Sequence, residues 1–213
     1  MTAKSLSTLL AGALLLGAIP VRPQGTPPKD PATLAAHDSH QGLLIAADPL
    51  LKADDYKSRF GKKTPYASGL IAIDVYFRND TGTPVQLNLE TIRLTVTPPG
   101  EQQQDLPALN ARDVTALTLG GGQDPTTARK KLPLPGMGGG RGKEWDELQG
   151  KVRSASLASD IIPPHATVHG LLYFDLDGHF EWLKSSRLYV PDLQQMGTGK
   201  ALLFFEVPLS AGS

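Results

Sequence analysis

Two stretches of the chain alternate apolar and polar residues with a period of two. From Leu70 to Arg78, Ile71, Ile73, Val75 and Phe77 oppose Ala72, Asp74, Tyr76 and Arg78. In the stretch ending at Leu176, Val168, Gly170, Leu172 and Phe174 oppose His169, Leu171, Tyr173 and Asp175. Successive side chains of a strand point to opposite faces, so each stretch predicts a strand with one buried face. Pro163-Pro164 feeds the second strand, and Asp177-Gly178 closes it as a hairpin-type turn.

Shorter versions of the pattern surround these two. Gly42 to Ala47 predicts a first strand, and Arg187 to Val190 and Ala201 to Leu209 predict two late ones. The last would place Leu203, Phe205, Val207 and Leu209 on one face. Val85, Leu87 and Leu89 alternate until the phase slips at Thr91, after which Ile92, Leu94 and Val96 resume. A one-residue slip turns the apolar set to the opposite face. It predicts a bulge, or a strand that changes sheets at Glu90-Thr91.

Helical spacing is confined to three places. Asp48-Pro49 suits a helix start, with Asp as cap and Pro in the first turn. That helix would carry Leu51 and Tyr56 inward and stop at Gly61, with Phe60 packing at its end. Ala111 to Leu119 follows a capping Asn110. A third helix begins near Lys143 and lines up Trp145, Leu148, Val152 and Ala155 on one face. The last two lie within residues 98–160, a stretch broken by Pro98-Pro99-Gly100 and by the Pro/Gly run from Leu132 to Gly142. A connection this long is uncommon inside a compact domain, so 98–160 reads as a partly helical insertion between two β halves. The expected fold is mainly β: an Ig-like antiparallel β-sandwich of about seven strands spanning 40–213.

Ahead of this domain, residues 1–20 read as a signal peptide. Lys4 supplies the positive start and Leu9 to Ile19 an apolar run too short to span a bilayer. Ala18 is a possible last residue of the signal, and an uncleaved N-terminal anchor is the alternative. Residues 21–39 read as a flexible linker. These features predict a periplasmic or secreted protein with no stable membrane span after cleavage. The chain has no cysteine, which removes disulfides, thiolate nucleophiles and a lipid-anchored N-terminus. Twenty-one basic residues balance 21 acidic ones, and the only basic cluster is Arg129, Lys130 and Lys131. That balance argues against a nucleic-acid partner.

The strand that ends in Val75-Tyr76-Phe77-Arg78-Asn79-Asp80-Thr81 resembles the first core strand of secreted bacterial Ig-like (telokin-like) domains of unknown function. The segment from Pro164 to Phe174 resembles their later "Pro-x-x-x-x-x-Gly-x-x-x-Phe" strand. The resemblance covers residues 43–96 and 161–209 and leaves the insertion out. It implies an exported accessory domain, and it brings no catalytic residues with it.

Candidate chemistry is sparse. His165, His169 and His179 could bind a divalent metal if their loops converge, as could His37, Asp38 and His40. Otherwise they are polar surface residues. Asp175-x-Asp177-Gly178 begins like a calcium loop, but the twelfth position holds Ser186 instead of Glu. Gly136 to Lys143 lacks the glycine and Ser/Thr positions of a phosphate loop. No serine-nucleophile elbow occurs, and Asp54-Asp55 reads as a solvated helical pair. Trp145, Trp182 and Tyr173 are the aromatic candidates for an interaction surface. Trp145 has the competing role of docking the inserted helix, and Trp182 that of capping one end of the core. These features predict a non-enzymatic module without cofactors that contacts an envelope protein through an edge strand or the insertion. The alternative is a small-ligand or metal-binding module.

Overall fold

The computed structural model describes residues 29–120 and 139–212. The expected signal peptide, the basic cluster at Arg129 to Lys131 and the start of the glycine run lie outside the described residues. The fold is mainly β, with eleven strands in three antiparallel sheets and three α-helices among the described residues.

The first sheet carries β1 (His37–His40), β2 (Leu43–Pro49), β3 (Leu70–Asn79) and β8 (Ala166–Asp175), in that order. The two strongest sequence patterns are therefore direct neighbours, paired along their whole length from Leu70↔Asp175 to Asn79↔Ala166. The second full sheet is ordered β11 (Phe205–Pro208), β9 (Arg187–Val190), β5 (Arg93–Val96) and β6 (Gln104–Pro107). Three two-residue strands make the third: β10 (Gln194–Gln195), β4 (Val85–Gln86) and β7 (Ile161–Ile162). The count exceeds the expected seven because these short strands, β1 and β6 carry too little apolar alternation to be seen.

The two four-stranded sheets share one core. Ile45, Ile71, Ile73, Val75, Phe77, Leu172 and Phe174 from the first meet Leu94, Val96, Leu188, Val190, Phe205 and Val207 from the second. A second core lies on the far face of the first sheet. There Leu70, Ala72, Leu171 and Tyr173 pack under α1 (Ala53–Phe60), α2 (Ala111–Thr118) and α3 (Gly139–Ala155), through Tyr56, Phe60, Val114, Leu148 and Val152. The molecule thus has three layers: helices, first sheet, second sheet.

This layering changes the meaning of residues 98–160. Their first part, β6, is a hairpin return after Pro98-Pro99-Gly100 and belongs to the second sheet. Their helices roof the first sheet. Gly170 lets the chain come back: a Cβ there would meet the backbone N and Cα of Leu157 at 2.5 Å. Leu157 N–H donates to Leu171 C=O at this crossing.

Other local expectations shift for identifiable reasons. Residues 37–39, expected as linker, form most of β1, and the chain from Lys29 onward is ordered against the first sheet. Asp48-Pro49 ends β2 instead of opening a helix, and α1 starts at Ala53 with no side-chain cap, leaving Leu51 38% exposed. The phase slip at Thr91 is a 3-10 turn over Leu89–Thr91, capped by the Asn88 side chain. There the chain leaves the small sheet and enters the second. Asn79, fully buried, pins the turn after β3, donating to Thr83, Ile162 and Pro163 carbonyls while accepting from Thr81.

Candidate functional site

The three interaction candidates have different fates. Trp145 is buried on the same face of α3 as Leu148 and Val152, so it docks the helix and is not a surface anchor. Tyr173 lies under the helices with 1% of its surface exposed. Its hydroxyl makes no well-formed hydrogen bond, and burial pushes its ionisation up against a smaller opposing effect of the Ser156 side chain. Trp182 is half-buried in a 3-10 turn over Phe180–Ser185, packed against the main core and stacked on His179 at 4.5 Å. That placement matches the capping role.

The histidines do not converge. His165 precedes β8 and His179 follows it, so the ten residues of that strand separate them by roughly 30 Å at about 3.3 Å per residue. The three-His site is corrected on that ground. His179 instead faces Glu181 at 3.1 Å, and Glu181 is held below the usual carboxylate range by its own backbone N–H and by His179. His37 and His40 sit three apart on a strand, hence on opposite faces. His37 Nδ1 lies 2.7 Å from Leu34 C=O, and His40 Nε2 lies 3.2 Å from Phe204 C=O. Asp177 N–H donates to the Asp175 carboxylate, which makes the calcium-like opening a tight turn. No group of three or more metal-ligating side chains forms among the described residues.

The structure assembles three surface features that sequence spacing did not bring together. One is a polar strip on the far face of the first sheet, beside the helices. Asp48 and Asp74 stand directly opposite each other on β2 and β3. Like charges in that position repel, and the Lys29 ammonium relieves the repulsion by an ion pair with Asp48. The hydrogen bond to Asp48 and the nearby carboxylates hold the Lys29 ammonium above its ordinary range. Asp74 also accepts from the Tyr76 hydroxyl at 3.1 Å and lies 3.6 Å from His169 Nδ1. The His169 ring stacks on Tyr76 at 5.2 Å.

The second feature is the seam between the two full sheets, where β1 and β11 run side by side without a backbone ladder. Side chains take its place: Asp38 accepts from Glu206 N–H, Gln41 accepts from Leu203 N–H, and His40 stacks on Phe205 at 3.7 Å. Next to the seam, Leu203 and Phe204 are 62% and 52% exposed, and Phe204 tilts against Tyr189 at 5.5 Å. The expected strand from Ala201 had placed Leu203 inward. In the structure β11 begins only at Phe205, because Leu202 N–H is drawn to Leu193 C=O and Leu203 N–H to Gln41. The four apolar residues Leu202 to Phe205 hid this break.

The third is an open depression of about 490 Å³ lined by Gln86, Asn88, Glu90, Asp160, Asp192 and Gln194 around Leu87 and Leu89. Its wall is acidic and amide-rich, with no His, Lys, Arg, Ser, Thr or Tyr among its lining residues.

Neither a protein-family model nor a curated protein matches the chain. Among solved structures, the chain is similar to a functionally unknown protein from Listeria monocytogenes EGD-e at 13% identity. The match covers 81% of this chain and 79% of the other, with a TM-score of 0.38.

Proposed function

We propose that the protein is a non-enzymatic, exported accessory module of the Ig-like type that binds a protein partner in the cell envelope. The observation that carries this reading is the Leu203–Phe204 pair, exposed beside Tyr189 on the open face of the second sheet. Adjacent large apolar side chains kept in water mark interaction sites, and aromatic residues dominate the energetics of such sites. The neighbouring Arg187–Glu206 pair at 3.5 Å gives the patch a polar border. The sandwich of two four-stranded sheets and the sequence resemblance support the Ig-like assignment. The signal-like N-terminus supports export to the periplasm or beyond.

A photo-crosslinking amino acid placed at Phe204 in the expressing cell tests this reading. A single envelope partner should be trapped there, and the same label at Lys62, on the helical side, should trap none. Equal labelling of both positions would overturn the placement, and an unprocessed, cytoplasmic chain would overturn export.

A further inference from the structure

The far face of the first sheet is covered in two different ways. Helices roof Leu70, Ala72, Leu171 and Tyr173, whereas the neighbouring strip is covered by residues 29–34, with the His169 ring beside Tyr76. That strip consists of three cross-strand pairs on β2 and β3: Leu44↔Arg78, Ala46↔Tyr76 and Asp48↔Asp74. The covering segment meets all three. Lys29 pairs with Asp48, Asp30 pairs with Arg78 at 3.5 Å, and Leu34 packs on Leu44, Ala46 and Tyr76. Its charges are complementary to both ends of the strip, as those of a bound peptide would be.

The hold is light. Pro31 and Ala36 are buried, but the Lys29 and Asp30 side chains are 61% and 62% exposed, and exposed ion pairs contribute little to stability. One short 3-10 turn over Pro31–Thr33 is the segment's own secondary structure, and its backbone joins the sheet only where Ala47 N–H donates to Ala36 C=O. Lifting it would leave two opposed carboxylates and an apolar step facing water. We propose that this strip is a peptide-docking surface held closed in cis by residues 29–34. Its external occupant is a segment of a partner protein that carries Lys or Arg beside an acidic residue, with an aliphatic side chain four to five positions on. The strip lies on the face of the first sheet turned away from the second sheet, and its test is independent of Leu203–Phe204.

The test uses the full chain and a fluorescent peptide of residues 29–36, read by anisotropy. A tethered segment competes at roughly millimolar effective concentration. The Lys29→Glu/Leu34→Asp protein should therefore bind the peptide at least about tenfold more tightly than the wild type. Adding Asp48→Asn to that variant, or reversing the charge of the peptide's Lys, should abolish binding. Equal or absent binding by wild type and variant would overturn the proposal, as would indifference to Asp48→Asn. Hydrogen exchange on the wild type covers the case of a variant that does not fold. The Leu34 amide should exchange at least about a hundredfold faster than those of Ile73 and Val75, since local opening needs far less free energy than global unfolding. Exchange of Leu34 only through global unfolding would overturn the proposal.

Discussion

Tyr56→Phe and Tyr173→Phe remove the same atom from the same buried layer and should have opposite consequences. Both tyrosines sit between the first sheet and its helices, with at most 1% of their surface exposed. The hydroxyl of Tyr56 completes β3. Beyond the end of β2, Ala72 has no neighbouring strand on that side. Leu50 N–H donates to Ala72 C=O at 2.9 Å, and Ala72 N–H donates to the Tyr56 hydroxyl at 2.7 Å. Tyr56→Phe leaves that N–H buried without a partner, which costs about 1–3 kcal/mol. With a urea m-value of about 2 kcal/mol/M, the midpoint should fall by roughly 0.5–1.5 M at unchanged slope. The Tyr173 hydroxyl makes no well-formed hydrogen bond, and Ser156, the polar side chain beside it, already donates to Val152 C=O. Removing an unpaired buried hydroxyl should leave stability within about 0.5 kcal/mol or raise it. Urea unfolding followed by tryptophan fluorescence measures both. A loss at Tyr173→Phe equal to that at Tyr56→Phe would refute the reasoning, because it would require a hydrogen bond at Tyr173.

Two further outcomes follow from the same layers. Burial first, with nearby Asp74 second at Tyr76, raises the ionisation of the Tyr56, Tyr76 and Tyr173 phenols in the folded protein. The unfolded chain releases those protons near the ordinary value of about 10. Stability should therefore be fully present below about pH 10 and fall as pH rises beyond it, so a urea midpoint unchanged between pH 9 and pH 11 would contradict this linkage. Gly170→Ala places a Cβ 2.5 Å from the Leu157 backbone and should cost about 1–3 kcal/mol or more. Thermal unfolding of the variant checks it, and a wild-type midpoint would mean that the returning chain can yield.

Much of the frame was legible because its residues obey one rule each. β3 and β8 alternate cleanly, α2 has its Asn110 cap, and the Trp145-Leu148-Val152 spacing marks the face of α3 that docks. The inserted helix was expected to dock, but a roof of three helices over the far face of the first sheet was not, although a signal for it exists. Leu171 to Phe174 and Leu70 to Ile73 are unbroken apolar runs, which strands show when both faces are covered. Attention to alternation alone assigned Leu171 and Tyr173 to a face away from the core. The surface features were harder to see. Asp48, Asp74 and Lys29 are far apart along the chain and meet only through strand register. Leu203 carries an inward pattern that hydrogen bonds from Leu202 to Leu193 and from Leu203 to Gln41 overrule.

The seam between β1 and β11 has a temporal consequence. Asp38 bonds to Glu206 across 168 positions, and Gln41 to Leu203 across 162. Half of the second sheet also waits for β9 and β11. Closing such distant contacts is slow, and synthesis delivers the N-terminal partner long before the C-terminal one. A nascent chain that has not yet reached Leu203 has a first strand with nothing to clasp and a core open along one edge. The first sheet and the helices over it are complete in sequence by Asp175, so the clasp and the second sheet close onto a layer that is already in place.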